Sequence, residues 1–428
     1  MTSSSQADAT FREYFSNDPQ VRNCPYPHFA RIRDEDGLRY HPDIDAYVVS
    51  RHADTTEVLR DPVTFSSKLP FGRVAAQRER RALEGLLAER PELEALIPAL
   101  KPRRTPTLVN CDPPQHMRQR RLVHASFSTR RIVDAEPWVD ALANQLIDMF
   151  AAGGEVDLVP RLCIPFPVQV IARMLGVSDD RQADFKRWSD DFMRAAGNDG
   201  LTPDVMIAAM RGQAELFAYL EEQIEERRRA PGEDLISSIV AARQPGDEPL
   251  SVNEMLAMCS QFLVAGNETT TALIGSALLA LARNASLADE LRADPDRIAP
   301  FLEEVLRLDG PVQGVFRSVT RDTQIGGFPL KAGDQVFVIH GAANRDPAAY
   351  PEKQAADTNE AGRHFSFGFG EHFCLGSGLA RMEARLAVCA MLRRFSTIAL
   401  PDGFEPAYAP TYMMRSLVAL PLLLEPAR

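Results

Sequence analysis

The chain has 428 residues, 45% hydrophobic and 25% charged, with a formal net charge of −11 at pH 7. This composition is that of a globular protein long enough to enclose a large cofactor together with a substrate cavity. The negative net charge argues against nucleic-acid binding, and the six cysteines show neither a CxxC pair nor a zinc-ligand spacing.

No low-complexity linker or internal repeat divides the chain, so we expect a single domain over residues 1–428. The polar residues 1–8 lack the pattern of a signal peptide. The longest apolar runs fall short of the ~18 residues that a spanning helix needs. We therefore expect a cytoplasmic protein without a membrane anchor.

The first half of the chain predicts one short strand and then mostly helices. The β-branched and aromatic run from Ala46 to Ser50 is typical of a strand. The residues from Asp112 to Gln115 predict a helix start, with Asp112 as the capping residue and Pro113 at the first helical position. Helical patterns then follow at 131–150, 159–175, 179–196 and 203–229, with a glycine-containing hinge at 197–200.

A capping box at residues 251–254 opens an apolar run that continues to Arg283. At 1.5 Å per residue this helix would extend roughly 50 Å, the width of the whole domain. A further helix is predicted at 297–308, followed by short strands at 315–319, 323–325 and 336–340. The expected fold class is mainly α with a small peripheral β region.

The most informative segment is the glycine-rich loop from Phe367 to Gly376, which contains Cys374 and precedes a helical pattern at 379–394. Its glycines allow a close approach to a flat macrocycle, and the helix beyond supplies amide groups that stabilise a negative sulfur. The alternative is a buried cysteine in a tight turn, the common state of free cysteines. Six specified positions at ordinary frequencies would arise by chance with a probability on the order of 10⁻⁵. We therefore interpret Cys374 as a thiolate ligand of haem iron.

At these residues the chain resembles the cytochrome P450 family, whose pattern Phe-Gly-x-Gly-x-His-x-Cys-x-Gly it matches in full. The resemblance implies the P450 fold, with a long central helix over haem b (iron protoporphyrin IX) and the cysteine loop on the proximal side. It implies that Cys374 is the axial ligand, that Phe367 and Gly376 frame the cofactor, and that His372 contacts a haem propionate.

Within the long helix, Ala265, Gly266, Glu268 and Thr269 place small residues beside an acid and an alcohol. The small side chains would let the helix lie close to a flat ring and leave room for dioxygen. Thr269 would then hydrogen-bond the oxygen substrate, while Glu268 connects that place to bulk protons. A bent structural helix would show the same residues, because threonine often bonds the carbonyl one turn earlier. The acid and alcohol occur in the same order in the family, which favours the catalytic interpretation.

Propionate anchors can also be identified. His116 and Arg120 lie four residues apart, on one helix face, and can meet one anionic edge. They belong to Asp-Pro-Pro-x-His-x-x-x-Arg, a family pattern that residues 112–120 match in full. Arg317 resembles the strand arginine that contacts the other propionate.

Glu304 and Arg307 match the family's Glu-x-x-Arg, which implies a structural role in bracing the cysteine loop. The family has a second arginine a few residues before that loop. Asn359 or Glu360 stands at the expected place here, and the nearest guanidinium belongs to Arg363. The residue that completes the network is left open.

The substrate is the least defined part of the site. The resemblance suggests a pocket lined by Gln261, Val264, Gln313 and Met413, and the two glutamines favour a substrate with hydrogen-bonding groups. The segment 71–102 is longer than the corresponding segment of bacterial relatives usually is. It predicts an added helix that partly covers the pocket as a lid.

The leading hypothesis is a monomeric monooxygenase that inserts one oxygen atom of O2 into a small organic molecule, such as a secondary metabolite. The chain shows no flavin or iron–sulfur motif, so electrons would come from a ferredoxin and an NAD(P)H-dependent ferredoxin reductase. A run of arginines forms either a solvated helix face or a docking patch for that donor; its members are Arg118, Arg120, Arg121, Arg130 and Arg131. The alternatives are a peroxygenase or nitric-oxide reductase, which the pair Glu268 and Thr269 disfavours, and a haem-thiolate sensor, for which no output module is left.

Overall fold

The computed structural model describes residues 13–16, 18–34, 38–196, 202–351 and 364–427. The helices, in chain order, are α1 (Pro19–Asn23), α2 (Tyr26–Asp34), α3 (His52–Arg60), α4 (Arg73–Glu89), α5 (Gln115–Val123), α6 (Thr129–Asp148), α7 (Pro165–Leu175), α8 (Gln182–Ala196), α9 (Pro203–Arg229), α10 (Leu235–Ala241), α11 (Val252–Arg283), α12 (Ala285–Ala293), α13 (Ile298–Asp309), α14 (His340–Ala343) and α15 (Ser377–Arg394). The strands are β1 (Arg39–His41), β2 (Ala46–Val49), β3 (Phe65–Ser66), β4 (Gly154–Asp157), β5 (Gly314–Val319), β6 (Thr323–Ile325), β7 (Phe328–Leu330), β8 (Gln335–Ile339), β9 (Phe395–Ala399) and β10 (Pro421–Pro426). The predicted class, mainly α with a small β region, is confirmed.

The strands form three small sheets. A five-stranded sheet has the order β1-β2-β8-β5-β3, in which β2 and β8 run parallel and the other pairs are antiparallel. A second sheet has the order β4-β10-β9, and β6 and β7 form a hairpin. Strand β8 is buried at every position because its neighbours cover both edges and the helices cover its faces. Arg317 lies on β5 opposite Val336, inside the larger sheet.

The long helix α11 begins with the predicted capping box. The Ser251 side chain accepts from the Glu254 backbone N–H at 3.3 Å, and the Glu254 carboxylate accepts from the Ser251 N–H at 2.9 Å. The helix packs against α7, α9, α13 and α15 and is buried along most of its length. Its predicted end at Arg283 is also confirmed.

No single helix of the described residues is long and apolar enough to cross a membrane. Helices α11 and α12 pass such a test only as a pair, and they are bent by 108° relative to each other.

The predicted helix start at Asp112 is wrong. Helix α5 begins at Gln115, and the Asp112 side chain does not cap it. The Asp112 carboxylate instead accepts hydrogen bonds from the Ser66 hydroxyl at 2.5 Å and the Ser67 backbone N–H at 2.8 Å. A long-range pair of donors therefore takes the acceptor that the local pattern assigned to the helix.

Two large apolar clusters meet along the central helices. One contains side chains of α6, α11, α13 and α15, and the other joins α7, α9, α10 and the first half of α11. Helix α15, which follows the cysteine loop, is therefore held in the first cluster by burial of apolar side chains such as Leu386 and Met391.

The predicted added helix is present as α4, followed by 3₁₀ turns at Pro91–Leu96 and Lys101–Arg104. Leu86 and Leu93 bury their side chains in the second cluster, while most of α4 is exposed. The lid function of this segment stays a prediction. The predicted hinge at 197–200 lies outside the described residues.

Candidate active site

The cysteine loop is a tight segment whose backbone bonds to itself. The Cys374 N–H donates to the Phe367 carbonyl at 2.8 Å, and the Gly368 N–H donates to the Phe365 carbonyl at 2.7 Å. Gly370 has a φ of 68°, and a Cβ there would lie 2.8 Å from the Leu59 carbonyl oxygen. Glycine is therefore required at this position both by conformation and by space.

Cys374 is exposed, but the surrounding protein partly shields its thiol from bulk water. The residue is exposed to solvent, while burial raises the pKa of the thiol. These two observations together place the sulfur in a recess of the protein rather than on its convex surface. The backbone N–H groups of Gly376 and Ser377, at the start of α15, oppose the shift, as do the charges of Arg120 and Arg381.

Four cationic or donor side chains predicted to anchor propionates lie close together. The rings of His116 and His372 contact each other with centroids 4.1 Å apart. Burial, then the neighbouring His116, Arg317 and Arg120, lowers the pKa of His372 to about 3. The Ser67 hydroxyl and the His372 Nε2 are joined by a hydrogen bond of 3.1 Å.

The positive groups of this cluster have few negative partners. The Arg120 guanidinium makes no hydrogen bond or ion pair with any described residue, and the buried His116 Nδ1 also lacks a partner among them. Burial lowers the pKa of Arg317 to about 10, and only the charge of Asp112 opposes that effect. A buried concentration of unmatched donors is the environment that a carboxylate-bearing ligand would stabilise.

Near its middle, helix α11 has two small residues with open space beside them, Ala265 and Gly266. Ala265 is exposed, and a Cβ added to Gly266 would find only the Ile171 side chain within 4 Å, at 3.9 Å. The Thr269 hydroxyl donates to the Ala265 carbonyl at 2.7 Å. Burial raises the pKa of the Glu268 carboxyl.

Neighbouring polar residues anchor this part of α11. The Asn267 amide donates to the Ser189 hydroxyl at 2.8 Å, and the Thr271 hydroxyl donates to the Cys163 carbonyl at 2.8 Å. These bonds use the opposite face of the helix, and within the described ranges the side chains of Ala265 and Thr269 make no hydrogen bond to another element.

Glu304 and Arg307 form a fully buried ion pair on α13. The guanidinium donates to both carboxylate oxygens, with the Nη2–Oε2 distance at 2.7 Å, and also donates to the Asn344 carbonyl at 3.0 Å. Asn359, Glu360 and Arg363, the residues near the expected place of the family's second arginine, lie outside the described residues.

The residues predicted to contact substrate lie on α11 and in two loop segments. Gln261 on α11 accepts a hydrogen bond from the Thr107 hydroxyl at 3.0 Å, and Val264 lies one turn before Glu268. The buried Gln313 donates its backbone N–H to the Met413 carbonyl at 2.8 Å and its amide to the Gly310 carbonyl at 2.6 Å. Met413 packs against the apolar cluster of the N-terminal segment.

The arginine run does not form one patch. Arg118 pairs with Glu254 and Arg121 pairs with Asp247, while Arg120 points inward to the surroundings of Cys374. Arg130 remains on the surface, with Asp134 at 3.8 Å. Three-dimensional pairing therefore separates residues that the sequence places together.

Sequence reasoning missed several polar groups around the loop. Glu303, His364 and Arg381 form a bonded cluster beside Phe367. His340 is buried beside Arg317, and neither of its ring nitrogens has a partner among the described residues. The one sequence signal for this cluster was that Glu303 stands next to Glu304 of the Glu-x-x-Arg motif.

The comparisons with known proteins agree with this geometry. The family model for cytochrome P450 matches residues 206–421. Cytochrome P450 107B1 of Saccharopolyspora erythraea is 35% identical over 401 residues, covering 92% of this chain and 93% of that protein. Vitamin D(3) 25-hydroxylase of Pseudonocardia autotrophica is 33% identical, covering 94% of each.

Among solved structures, that of cytochrome P450 CYP109Q5 from Chondromyces apiculatus superposes with a TM-score of 0.83 at 32% identity, covering 96% of this chain and 98% of that one. The chain therefore belongs to the cytochrome P450 family and is an oxidoreductase, a P450 monooxygenase. Members of this family bind haem with a thiolate-ligated iron and use O2, an organic substrate and redox partners.

The residues present fit such a haem. A recessed, accessible thiol is available to the iron, the unmatched His116 and Arg120 suit a propionate, and Ala265 and Gly266 leave space along α11. Each feature is a property of the protein chain itself.

Thiol labelling tests this description of the recess. In haem-free protein at pH 8, we expect a small thiol reagent to modify Cys24 and, more slowly, Cys374, because both are exposed and burial raises the pKa of Cys374. Cys111 and Cys259 should resist, since they are buried and burial raises the pKa of each thiol to about 12. Mass spectrometry of the labelled peptides gives the order.

Added haem should reduce the labelling of Cys374 and leave the labelling of Cys24 unchanged, so that Cys24 serves as the internal control. Equal labelling of Cys374 with and without saturating haem would contradict the assignment of the recess.

Proposed function

We propose that this chain binds haem b through the Cys374 thiolate and uses it to oxidise a small, largely apolar organic molecule with O2. The observation that carries the proposal is the position of Cys374: an accessible sulfur in a recess, with the backbone N–H groups of Gly376 and Ser377 directed to it. Arg120 adds a positive charge nearby. These groups favour the ionised form that an iron ligand requires.

A haem with a thiolate ligand activates dioxygen, because the sulfur pushes electron density toward the oxygen and favours O–O cleavage. Backbone hydrogen bonds of the loop residues Phe367 and Gly376 help to fix the position of the Cys374 sulfur. The Phe367 carbonyl accepts the Cys374 N–H, and Gly376 accepts the first bond of α15 through its carbonyl, from the Ala380 N–H at 3.0 Å.

The propionates are assigned to the cluster around His116. Arg120 and His116 would bind one carboxylate, with His372 beside them, and Arg317 would bind the other. Binding an anion here would remove the electrostatic cost of burying unmatched cations and donors. This gain supplies a thermodynamic reason for haem retention besides the iron–sulfur bond.

Thr269 and Glu268 are assigned to proton handling. Since the Thr269 hydroxyl proton is donated to the Ala265 carbonyl, its oxygen is left as an acceptor toward the exposed face of α11. There it can hold a water molecule or another hydroxyl donor. The raised pKa of Glu268 keeps a proton on that carboxyl closer to neutral pH, which suits a proton source.

The substrate pocket is assigned to the exposed side of α11 and the segment near Met413. Val264, Ala265 and Met413 provide apolar contact area, and the Gln261 amide remains as a donor because its oxygen already accepts from Thr107. An apolar molecule with one or a few oxygen acceptors fits this lining. Vitamin D(3), which appears in the name of one relative, is a molecule of this chemistry.

We assign the electron supply to a ferredoxin and its NAD(P)H-dependent reductase, with the enzyme as a monomer in the cytoplasm. The exposed Arg130 lies at the start of α6, which packs along α15, so it offers a positive contact on the side of the cysteine helix. The free state of all six cysteines, including the exposed Cys24, suits a reducing compartment.

Replacement of Cys374 tests the ligand assignment. The reduced wild-type protein under carbon monoxide should show the strongly red-shifted Soret band of thiolate ligation, and Cys374→Ser should lose it while the haem stays detectable. Cys389→Ser is the matched control, because Cys389 lies on α15 and should leave the band unchanged. A red-shifted band in Cys374→Ser would exclude this sulfur as the ligand.

Replacement of Thr269 tests proton handling. Thr269→Ala should continue to consume NAD(P)H, but most reducing equivalents should appear as hydrogen peroxide rather than product. Thr269→Ser keeps the hydroxyl and should restore most of the coupling. The measurement is the ratio of product to NAD(P)H with peroxide determined in the same reaction. Unchanged coupling in the alanine variant would remove Thr269 from this role.

A further inference from the structure

A carboxylate on α13 bonds to both sides of the cysteine loop. Glu303 Oε1 accepts from the Arg381 Nε at 2.5 Å, and Oε2 accepts from the Arg381 Nη2 at 2.8 Å. Oε2 also lies 3.2 Å from the His364 Nε2. His364 precedes Cys374 by ten residues and Arg381 follows it by seven, so one side chain joins the entry to the loop and the exit from it.

The direction of the histidine bond follows from its second nitrogen. The Ser366 backbone N–H donates to the His364 Nδ1 at 3.2 Å, so this nitrogen is an acceptor and carries no proton. The Nε2 therefore carries the proton and donates it to Glu303. The neutral ring is oriented at both ends, and its side chain is only 3% exposed.

The network reaches the cysteine through Phe367. The Arg381 guanidinium lies over the Phe367 ring, 4.3 Å from its centroid, and the His364 ring lies 6.0 Å from the same ring. The Phe367 carbonyl accepts the Cys374 N–H. Moving Phe367 would therefore move the backbone that carries the sulfur.

The adjacent ion pair acts on the entry side alone. The Arg307 guanidinium donates to the Asn344 carbonyl, and the Asn344 side chain accepts the Phe365 N–H at 2.7 Å and donates to the Ser366 hydroxyl at 3.1 Å. Glu304 holds Arg307 in this position. Of these two neighbouring carboxylates on α13, Glu303 hydrogen-bonds to α15, while the side-chain hydrogen bonds of Glu304 within the described part of the chain go to Arg307.

The charges of the network are stable at neutral pH. Burial raises the pKa of Glu303, but the hydrogen bonds from Arg381 and His364, together with the charge of Arg381, outweigh that effect and bring the pKa to about 2. The Glu303 side chain is 19% exposed and that of Arg381 35% exposed. Partial burial and bidentate geometry make this pair stronger than an ordinary surface ion pair.

We propose that Glu303, His364 and Arg381 form a positioning network that clamps the cysteine loop against α13 and so keeps the Cys374 sulfur in place as an iron ligand. The proposal rests on the proposed function, because it takes Cys374 as that ligand. Glu303 and His364 act through Phe367 and the loop backbone, and Arg381 does so in addition to its charge near the Cys374 thiol. The three residues do not touch the reacting atoms.

Hydrogen exchange of the intact haem protein tests the clamp directly. Glu303→Gln keeps the size of the side chain and removes the charge, so the amides of residues 365–376 should exchange about tenfold faster than in the wild type. Arg381→Gln should give a similar increase, and the double variant should add little to either single change, because both remove the same interaction.

The matched control is Glu136→Gln. It breaks the Arg385–Glu136 pair, which also joins α15 to a neighbouring helix, has an N–O distance of 2.6 Å and exposures of 34% and 39%. Exchange in the loop should stay at the wild-type rate in this variant. An equal increase in Glu136→Gln would show general loosening of α15 and overturn the clamp.

A second readout follows the sulfur. In mild denaturant, the red-shifted band of the reduced carbon monoxide complex should convert to the unshifted form about tenfold faster in Glu303→Gln than in Glu136→Gln. Wild-type rates in both readouts for Glu303→Gln would overturn the network alone. A wild-type protein without the red-shifted band would overturn the thiolate role itself, and with it this proposal.

Discussion

Burial raises the pKa of the Cys374 thiol, so the negative charge that an iron ligand must carry has to be supported by the groups around the sulfur. The backbone N–H groups at the start of α15 and the guanidinium groups of Arg120 and Arg381 supply part of that support. A bound iron cation would supply the rest, since a coordinating thiol loses its proton. The loop, the helix that follows it and the surrounding arginines are best understood as the means of holding one ionised sulfur in a recess.

Holding that sulfur requires strong contacts outside the recess. The pair of Glu304 and Arg307 is fully buried, and breaking such a pair is costly because it leaves an uncompensated charge. Glu303 adds bonds to His364 and Arg381 on the two sides of the loop. The apolar cluster that contains α15 also packs against Phe367 of the loop and supports these bonds.

Local patterns in the sequence predict the long helix α11 correctly at both ends. The capping box at Ser251 and Glu254 predicts the start of α11, because both partners lie within one turn. The start of α5 was predicted wrongly for the opposite reason: Asp112 bonds to Ser66 and Ser67, and such distant partners leave no local pattern. The same limit applies to Arg118, whose pairing with Glu254 removes it from the surface patch suggested by sequence adjacency.

The site shows the same difference between residues in local sequence patterns and residues defined by long-range contacts. Cys374 stands in a pattern with several fixed positions, so the sequence alone predicts it as the iron ligand. His340 and His364 stand in no such pattern and were recognised only through their burial and hydrogen bonding. Substrate residues such as Gln313 are harder still, because their orientation depends on contacts between segments far apart in the chain.

Iron X-ray absorption spectroscopy of the purified haem protein tests the central claim most directly. The account predicts one sulfur scatterer in the first coordination shell of the iron, present in the wild type and absent in Cys374→Ala. An iron coordinated only by nitrogen and oxygen in the wild type, or a sulfur scatterer that persists in the alanine variant, would contradict it.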